Sequence, residues 1–285
     1  MSTSDLDEPH SALFEHLRDR LRESLDLAIR TLRDDQIAVS ASVHTTRRCT
    51  KKVRALLKLA PVKLKEQSRR VRADLRQSRK ALGPARDARV AFDLLSKHFS
   101  TQNLDPDDPP QLLSNLHRIC DDIEARTRAQ IFENVIAHLQ SNAQQIADWP
   151  SQDLNPSELR ERICAGYLEA RKLRPRKSNK IDLDDLHGFR SALVDHYYQL
   201  DFFHHAETKR FAKHKARLKE LRTQLGLYLD HCHLQTLAEQ HSSQHVLSQA
   251  KDKNLNTGKI LPRLIKEARE IFDPSSEEML EIVQE

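Results

Sequence analysis

Lysine and arginine side chains line up with a histidine in the segment 43–62, which contains no acidic residue. On a helix, side chains that recur every three or four residues share one face. Five side chains here follow that spacing, namely His44, Arg47, Lys51, Arg54 and Lys58, and Arg48 and Lys52 lie beside them. Like charges so placed repel one another by roughly a few tenths of a kcal/mol per pair. Because a bound polyanion would relieve that repulsion, the stripe predicts an anion-binding surface.

A second cationic row follows in the segment 62–82, and its members are Lys65, Arg69, Arg72, Arg76 and Arg79. A tight turn near Pro61 would make the two helices antiparallel neighbours. Residues 44–89 contain 16 Lys and Arg but three Asp and Glu, a net charge of +13, whereas the remainder of the chain has 31 basic and 39 acidic residues, or −8. Solvated helix faces usually mix both signs, so this excess also indicates a binding surface.

The residue types indicate which polyanion the surface fits. Arginine offers two parallel donors to phosphate oxygens, and lysine offers a point charge. The block 44–89 has no Phe, Tyr, Trp or Asn, so it lacks side chains that stack on bases and has few that read base edges. We therefore predict binding of inorganic polyphosphate, or of phosphate or sulfate ions in its place. Binding to a nucleic-acid backbone is the alternative, because it offers similar charge.

An internal repeat relates the two halves of the chain. Identities recur at an offset of 143 residues, as in His44 and His187, Arg47 and Arg190, and Gly83 and Gly226. Apolar residues are spaced as in helices almost throughout, and the chain has only five glycines, which predicts an all-α fold. Two related four-helix bundles, packed side by side, would account for the repeat.

The expected organisation is one helical domain over 1–285. Its parts are a first bundle at 9–99, an acidic, Pro-rich loop and long connecting helix at 100–155, a second bundle at 156–250 and a C-terminal helical extension at 251–285. The connecting helix is expected over 111–147, and two helices are expected at 207–225 and 228–248. Gly83 and Gly226 are expected at helix C-termini.

The motifs resemble those of the CHAD domain, the conserved histidine α-helical domain. The run His44-x-x-Arg47-x-x-x-Lys51-Lys52-x-Arg54 and the later Leu82-Gly83-x-x-Arg86-Asp87 resemble its first half. Leu186-His187-x-x-Arg190 and Leu225-Gly226-x-x-x-Asp230 are similar to its second half, and Tyr167, Arg171 and Arg174 resemble its lead-in helix. The resemblance implies two four-helix bundles related by pseudo-twofold symmetry, a basic surface and pore between them, and binding of inorganic polyphosphate without catalysis.

The second half departs from the family pattern, because Val194, Asp195, Tyr197 and Tyr198 stand where Lys, Arg, Arg and Tyr are expected. Lysines and arginines that follow, at positions 209, 210, 213, 215, 219 and 222, are candidates to replace them. The predicted polyphosphate ligands are His44, Arg47, Arg48, Lys51, Lys52, Arg54, Lys58, Arg69, Arg72, Arg76, Arg79, Arg171, Arg174, His187, Arg190, Lys215, Lys219 and Arg222.

Other classes of function have weaker support. No Gly-rich phosphate loop or nucleophile elbow is present, and the basic block has no paired carboxylates, so we expect no catalysis. Histidines at 204, 205, 214, 231, 233, 241 and 245 lie close together in the sequence, but no CxxC or HExxH accompanies them, so no metal or cofactor is expected.

The expected location follows from the four cysteines and the N-terminus. The cysteines, at 49, 120, 164 and 232, lie far apart and predict reduced thiols. The N-terminus is acidic, and no run of 18 apolar residues occurs. We expect a cytoplasmic protein without membrane contact, with polyphosphate granules and polyphosphate-metabolising enzymes as candidate partners.

Overall fold

The computed structural model describes residues 10–100, 111–176, 181–203, 208–240 and 257–284, and every regular element in these ranges is a helix. The all-α prediction is therefore confirmed. The helices are α1 (His10–Arg33), α2 (Val39–Leu56), α3 (Lys65–Ala81), α4 (Gly83–Ser100), α5 (Gln111–Gln130), α6 (Phe132–Ala147), α7 (Pro156–Leu173), α8 (Leu183–Phe202), α9 (Lys209–Gln240), α10 (Thr257–Ile271) and α11 (Ser276–Gln284), with 3-10 turns at Leu57–Leu59 and Val62–Leu64. None of the helices in the described ranges is both long enough and apolar enough to cross a membrane.

The chain divides into two compact units, Met1–Pro156 and Ser157–Glu285. In the first unit, α1 packs against α2 and α6, α4 packs against α5, and α3 packs against α6. The segment predicted as a connector thus contributes two helices to the packing of this unit. Its core begins with Phe14, Leu17, Leu21 and Leu25, which are fully buried on one face of α1.

The amphipathic pattern of α2 sets which of its faces is covered. Val43, Thr46, Cys49, Thr50 and Val53 are buried, and they share one arc of the helix. The cations occupy the rest of the circumference, where they are exposed or half-buried. Burial of the apolar arc therefore holds the cationic stripe at the surface.

Two predicted helix boundaries were wrong. The segment 111–147 forms two helices that meet at Ile131, where φ is −108°. The break lets α5 pack against α4 while α6 packs against α1 and α3. In contrast, α9 runs unbroken through Gly226, which was expected to end a helix; positions 241–248 of the predicted second helix lie outside the described residues.

Pro84 explains why the two halves differ at this point. Proline has no N–H, and its ring collides with the carbonyl four residues earlier, so it is tolerated in the first turn of a helix but not in its interior. In the first unit, α3 ends at Ala81 and α4 begins at Gly83, with Pro84 in its first turn. The second half has Leu227 at the equivalent position, and the helix continues.

The C-terminal extension is part of the second unit. Helix α9 packs against α8 on one side and against α10 and α11 on the other. The buried side chains at this contact are Ile265, Ala268 and Ile271 of α10 and Phe272, which directly follows the helix. Helix α10 therefore contributes to the core of the second unit. The proposed pseudo-twofold relation between the bundles stays a prediction.

Candidate functional site

His44 lies exposed on α2 within a group of cations from two helices. Partial burial, together with the charges of Arg48, Lys51 and Arg47 on the same helix and Arg86 on α4, lowers the pKa of His44 below 6.5. Each of these charges disfavours a proton on the imidazole, whereas a bound phosphate would favour one. The side chain is therefore placed to gain a proton when an anion binds.

Arg47 joins the cationic stripe of α2 to the end of α3. Its Nη1 donates a hydrogen bond of 2.7 Å to the carbonyl oxygen of Arg79, in the last turn of α3. Carbonyls at this end of a helix lack partners within the helix and carry partial negative charge. The bond satisfies one of them and fixes Arg47, so the rows of α2 and α3 meet at this point.

Four other predicted ligands of the first unit form no ion pair with any residue that the structure describes. Arg48 and Arg76 are exposed, while Lys52 and Arg72 are half-buried. Arg69 lies 3.9 Å from Glu66, and both side chains are largely exposed, so this pair contributes little. The half-buried Lys51 and Arg54 continue the stripe along α2, and the half-buried Lys58 follows in the 3-10 turn after it.

Arginines of α4 mark the edge of this surface. Arg86 pairs with Asp87 at 2.8 Å, and Arg89 pairs with Glu124 of α5 at 2.7 Å. The pair between Arg89 and Glu124 connects two packed helices, so we assign Arg89 a structural role. The cationic surface thus extends over α2, α3 and the first turn of α4.

In the second unit, two arginines at the C-terminal end of α7 bind the C-terminal end of α10 and the residues that follow it. Arg174 Nη1 donates to the carbonyls of Phe272, at 2.7 Å, and of Arg269, at 3.3 Å. Arg171 donates to the Asp273 carbonyl at 3.2 Å. The Tyr167 hydroxyl, one turn earlier, donates to the Pro274 carbonyl at 2.8 Å. The structure thus gives Arg171 and Arg174 partners in the protein itself.

Two other predicted ligands of the second unit also have partners inside that unit. Lys215 pairs with Asp201 at 2.9 Å. The Arg222 guanidinium lies over the Tyr197 ring, 4.2 Å from its centroid, and 5.6 Å from the ring centroid of Tyr198. Stacking of this kind is a favourable cation–π contact.

The remaining predicted ligands of the second unit are Arg190, His187 and Lys219. The Arg190 guanidinium lies against Gly226, where a Cβ atom would stand 2.8 Å from Nη2. Gly226 therefore serves close packing inside a helix. His187 and Lys219 are exposed.

A buried pair of histidines was not predicted. His196 of α8 and His214 of α9 have ring centroids 5.9 Å apart, both rings lie near Tyr167, and the His196 ring also lies near Phe272. Burial, and then the neighbouring His214, lowers the pKa of His196 well below 6.5. Burial, and then Arg217, lowers the pKa of His214 to about 4. The available sequence signal was the position of His196 between Leu193 and Leu200, at helical spacing on an apolar face.

No three His, Cys, Asp or Glu side chains within the described ranges come together so as to hold a metal ion. Of the histidines named above, His204, His205, His241 and His245 lie outside those ranges. His231 Nδ1 lies 2.7 Å from the Leu227 carbonyl. All four cysteines are buried free thiols.

Comparison with known proteins identifies the domain type. The family model of the CHAD domain matches residues 9–239. A crystal structure of the CHAD domain from the plant Ricinus communis superposes with a TM-score of 0.64 at 17% sequence identity, covering 95% of this chain and 94% of that chain. No curated protein sequence matches this chain.

Proposed function

This chain belongs to the CHAD domain family, and on that premise we propose that it binds inorganic polyphosphate without catalysing its conversion. The binding surface is formed by the cationic faces of α2 and α3 and the first turn of α4. The observation that carries the proposal is the group around His44, where partial burial and four cations from α2 and α4 lower the pKa of the imidazole. A bound anion would offset the mutual repulsion of these charges.

The chemistry of this surface supports a phosphate polymer without bases. The block 44–89 supplies arginine forks and lysine charges but no aromatic side chain, so it can bind phosphate oxygens but cannot stack bases. Its three acids, Glu66, Asp74 and Asp87, are spread along the chain, and Asp87 is paired with Arg86. This arrangement offers no pair of carboxylates for metal-assisted phosphate chemistry. The ligand class also accords with a cytoplasmic role near polyphosphate granules or polyphosphate-metabolising enzymes.

The test compares long-chain polyphosphate with single-stranded RNA and double-stranded DNA over a series of salt concentrations. The diagnostic variant is the triple substitution Arg48→Gln, Lys52→Gln and Arg76→Gln, because these cations form no ion pair within the part of the chain that the structure describes. Each lost phosphate contact reduces the slope of log affinity against log salt by roughly 0.7, so the triple variant should reduce it by about 2.

The matched control removes the same charge from another helix of the same unit, through Arg22→Gln, Arg30→Gln and Arg33→Gln, all exposed on α1. It should bind polyphosphate nearly as well as the parent protein. Nucleic acid bound as tightly as polyphosphate at physiological salt would refute the choice of ligand. An equal loss of affinity in the two triple variants would refute the choice of surface.

A further inference from the structure

The second unit contains the same repeat but uses its cations differently. We infer that the polyphosphate site is confined to the first unit, because the second unit has fewer cations at the equivalent positions and several of its cations are engaged in that unit's own packing. This inference rests on the proposed function and specifies which half of the repeat performs it. The family resemblance by itself implies a share for both halves.

The charge of the two halves differs at equivalent positions. Residues 187–232, which correspond to 44–89, contain eight Lys and Arg against five Asp and Glu, a net charge of +3 compared with +13. Lys51, Lys52 and Arg54 of α2 are replaced in α8 by Val194, Asp195 and Tyr197. Val194 is only 6% exposed, so the helix face that carries the stripe in α2 is partly covered in α8.

On the side of α9 that faces α8, the cations contact other side chains of the second unit. Lys215 pairs with the carboxylate of Asp201. Arg222, the repeat equivalent of Arg79, stacks on Tyr197, which replaces Arg54. Where the first unit has two arginines at these positions, the second has an arginine and an aromatic ring that attract each other. A phosphate chain bound here would have to disrupt that pair.

The side of α9 that faces the C-terminal helices is neutralised by carboxylates. Arg217 binds Glu267 and Glu270 of α10, at 2.8 and 2.9 Å. Arg210 lies 3.7 Å from Glu281 of α11. A polyanion would have to compete with these carboxylates. The favourable free energy of each new contact with an arginine would be offset by the loss of an existing ion pair.

Apart from Arg210, which lies near Glu281, the exposed cations of α9 are three lysines, Lys209, Lys213 and Lys219. The equivalent exposed surface of the first unit draws cations from both α2 and α3. Because the electrostatic part of polyanion affinity grows with the number of phosphates neutralised together, three lysines on a single helix form a much weaker site. The second unit is therefore expected to contribute little at physiological salt.

The experiment compares two variants of the full chain, each with three substitutions that remove three positive charges. Lys209→Gln, Lys213→Gln and Lys219→Gln remove the exposed lysines of α9, and the triple variant Arg48→Gln, Lys52→Gln and Arg76→Gln removes three cations of α2 and α3. Affinity for long-chain polyphosphate is measured by titration calorimetry at physiological salt. The first-unit variant should lose at least tenfold in affinity, and the second-unit variant less than twofold.

A second measurement follows the imidazole resonances of His44 and His187 by NMR during titration with polyphosphate. The His44 signals should shift and its pKa should rise, while the His187 signals should stay in place. Comparable losses in the two variants, or comparable shifts of both histidines, would overturn the confinement to the first unit and leave the proposed function standing. Absence of polyphosphate binding by the parent protein would instead overturn the proposed function.

Discussion

Replacing Arg174 by methionine tests whether the arginines of α7 are structural or ligand-binding residues. Methionine keeps much of the aliphatic stem but removes the donor that binds the carbonyls of Phe272 and Arg269, at 2.7 and 3.3 Å. A hydrogen bond from a charged group contributes about 1.5–3 kcal/mol. Arg174 is half-buried and its second bond is long, so we expect a total loss of about 2 kcal/mol, near the lower end of that range.

The loss should appear as faster hydrogen exchange in α10. A change of about 2 kcal/mol corresponds to roughly a 30-fold change in an opening equilibrium. Amides near the C-terminal end of α10 should exchange faster by about that factor, whereas those of α1 and α2 in the first unit should not change. Arg176→Met is the matched control, because Arg176 is exposed two residues further on.

Polyphosphate affinity is measured on the same samples, well below the unfolding temperature. The structural role predicts an affinity close to that of the parent protein for Arg174→Met. Unchanged exchange in α10, combined with a clear loss of polyphosphate affinity, would refute this reasoning and make Arg174 a ligand. Loss of both would show that the two roles are not separable at this position.

Three further predictions concern other sites. Gly166→Ala should destabilise the second unit, despite a gain in helix propensity of about 1 kcal/mol, because the new Cβ would collide with the buried amide of Gln199; Gln199→Ala should restore stability in chemical denaturation of the double variant. The free energy of unfolding of this unit should fall as pH drops below 6.5, because folding lowers the pKa values of His196 and His214 and unfolding then takes up protons. The variant His214→Phe should show a weaker pH dependence, and an unchanged pH profile would contradict the assignment. Polyphosphate affinity should decrease as pH rises above the lowered pKa of the free His44 imidazole, because binding takes up a proton. Calorimetry in buffers of different ionisation enthalpy measures this proton uptake, and His44→Ala should abolish it.

The helical character of the chain and the exposed cationic face of α2 could be predicted because both depend on local spacing. A side chain that recurs every three or four residues shares a helix face wherever that helix packs. Val43, Val53 and Leu56 are buried for this reason, and Arg48 stays exposed. The same reasoning misplaced the helix boundary at Gly226. The sequence does not distinguish a glycine that ends a helix from one that leaves room for a guanidinium, as Gly226 does for Arg190.

The partners of each cation depend on contacts between residues far apart in the chain. Arg89 and Glu124 are 35 residues apart, and Arg174 and Phe272 are 98 apart. No local pattern distinguishes an arginine that binds a helix end from one that faces solvent. The C-terminal extension shows the same limit, because its role in the second unit follows from its packing against α9.

The helical fold, the family and the concentration of positive charge in residues 44–89 can be predicted from the amino-acid sequence, because each follows from residue types at short spacing or from a repeated motif. Which cations are held by carbonyls, carboxylates and rings depends on the folded protein. Packing brings those partners together from distant segments, and charge alone does not specify which of them a cation will meet.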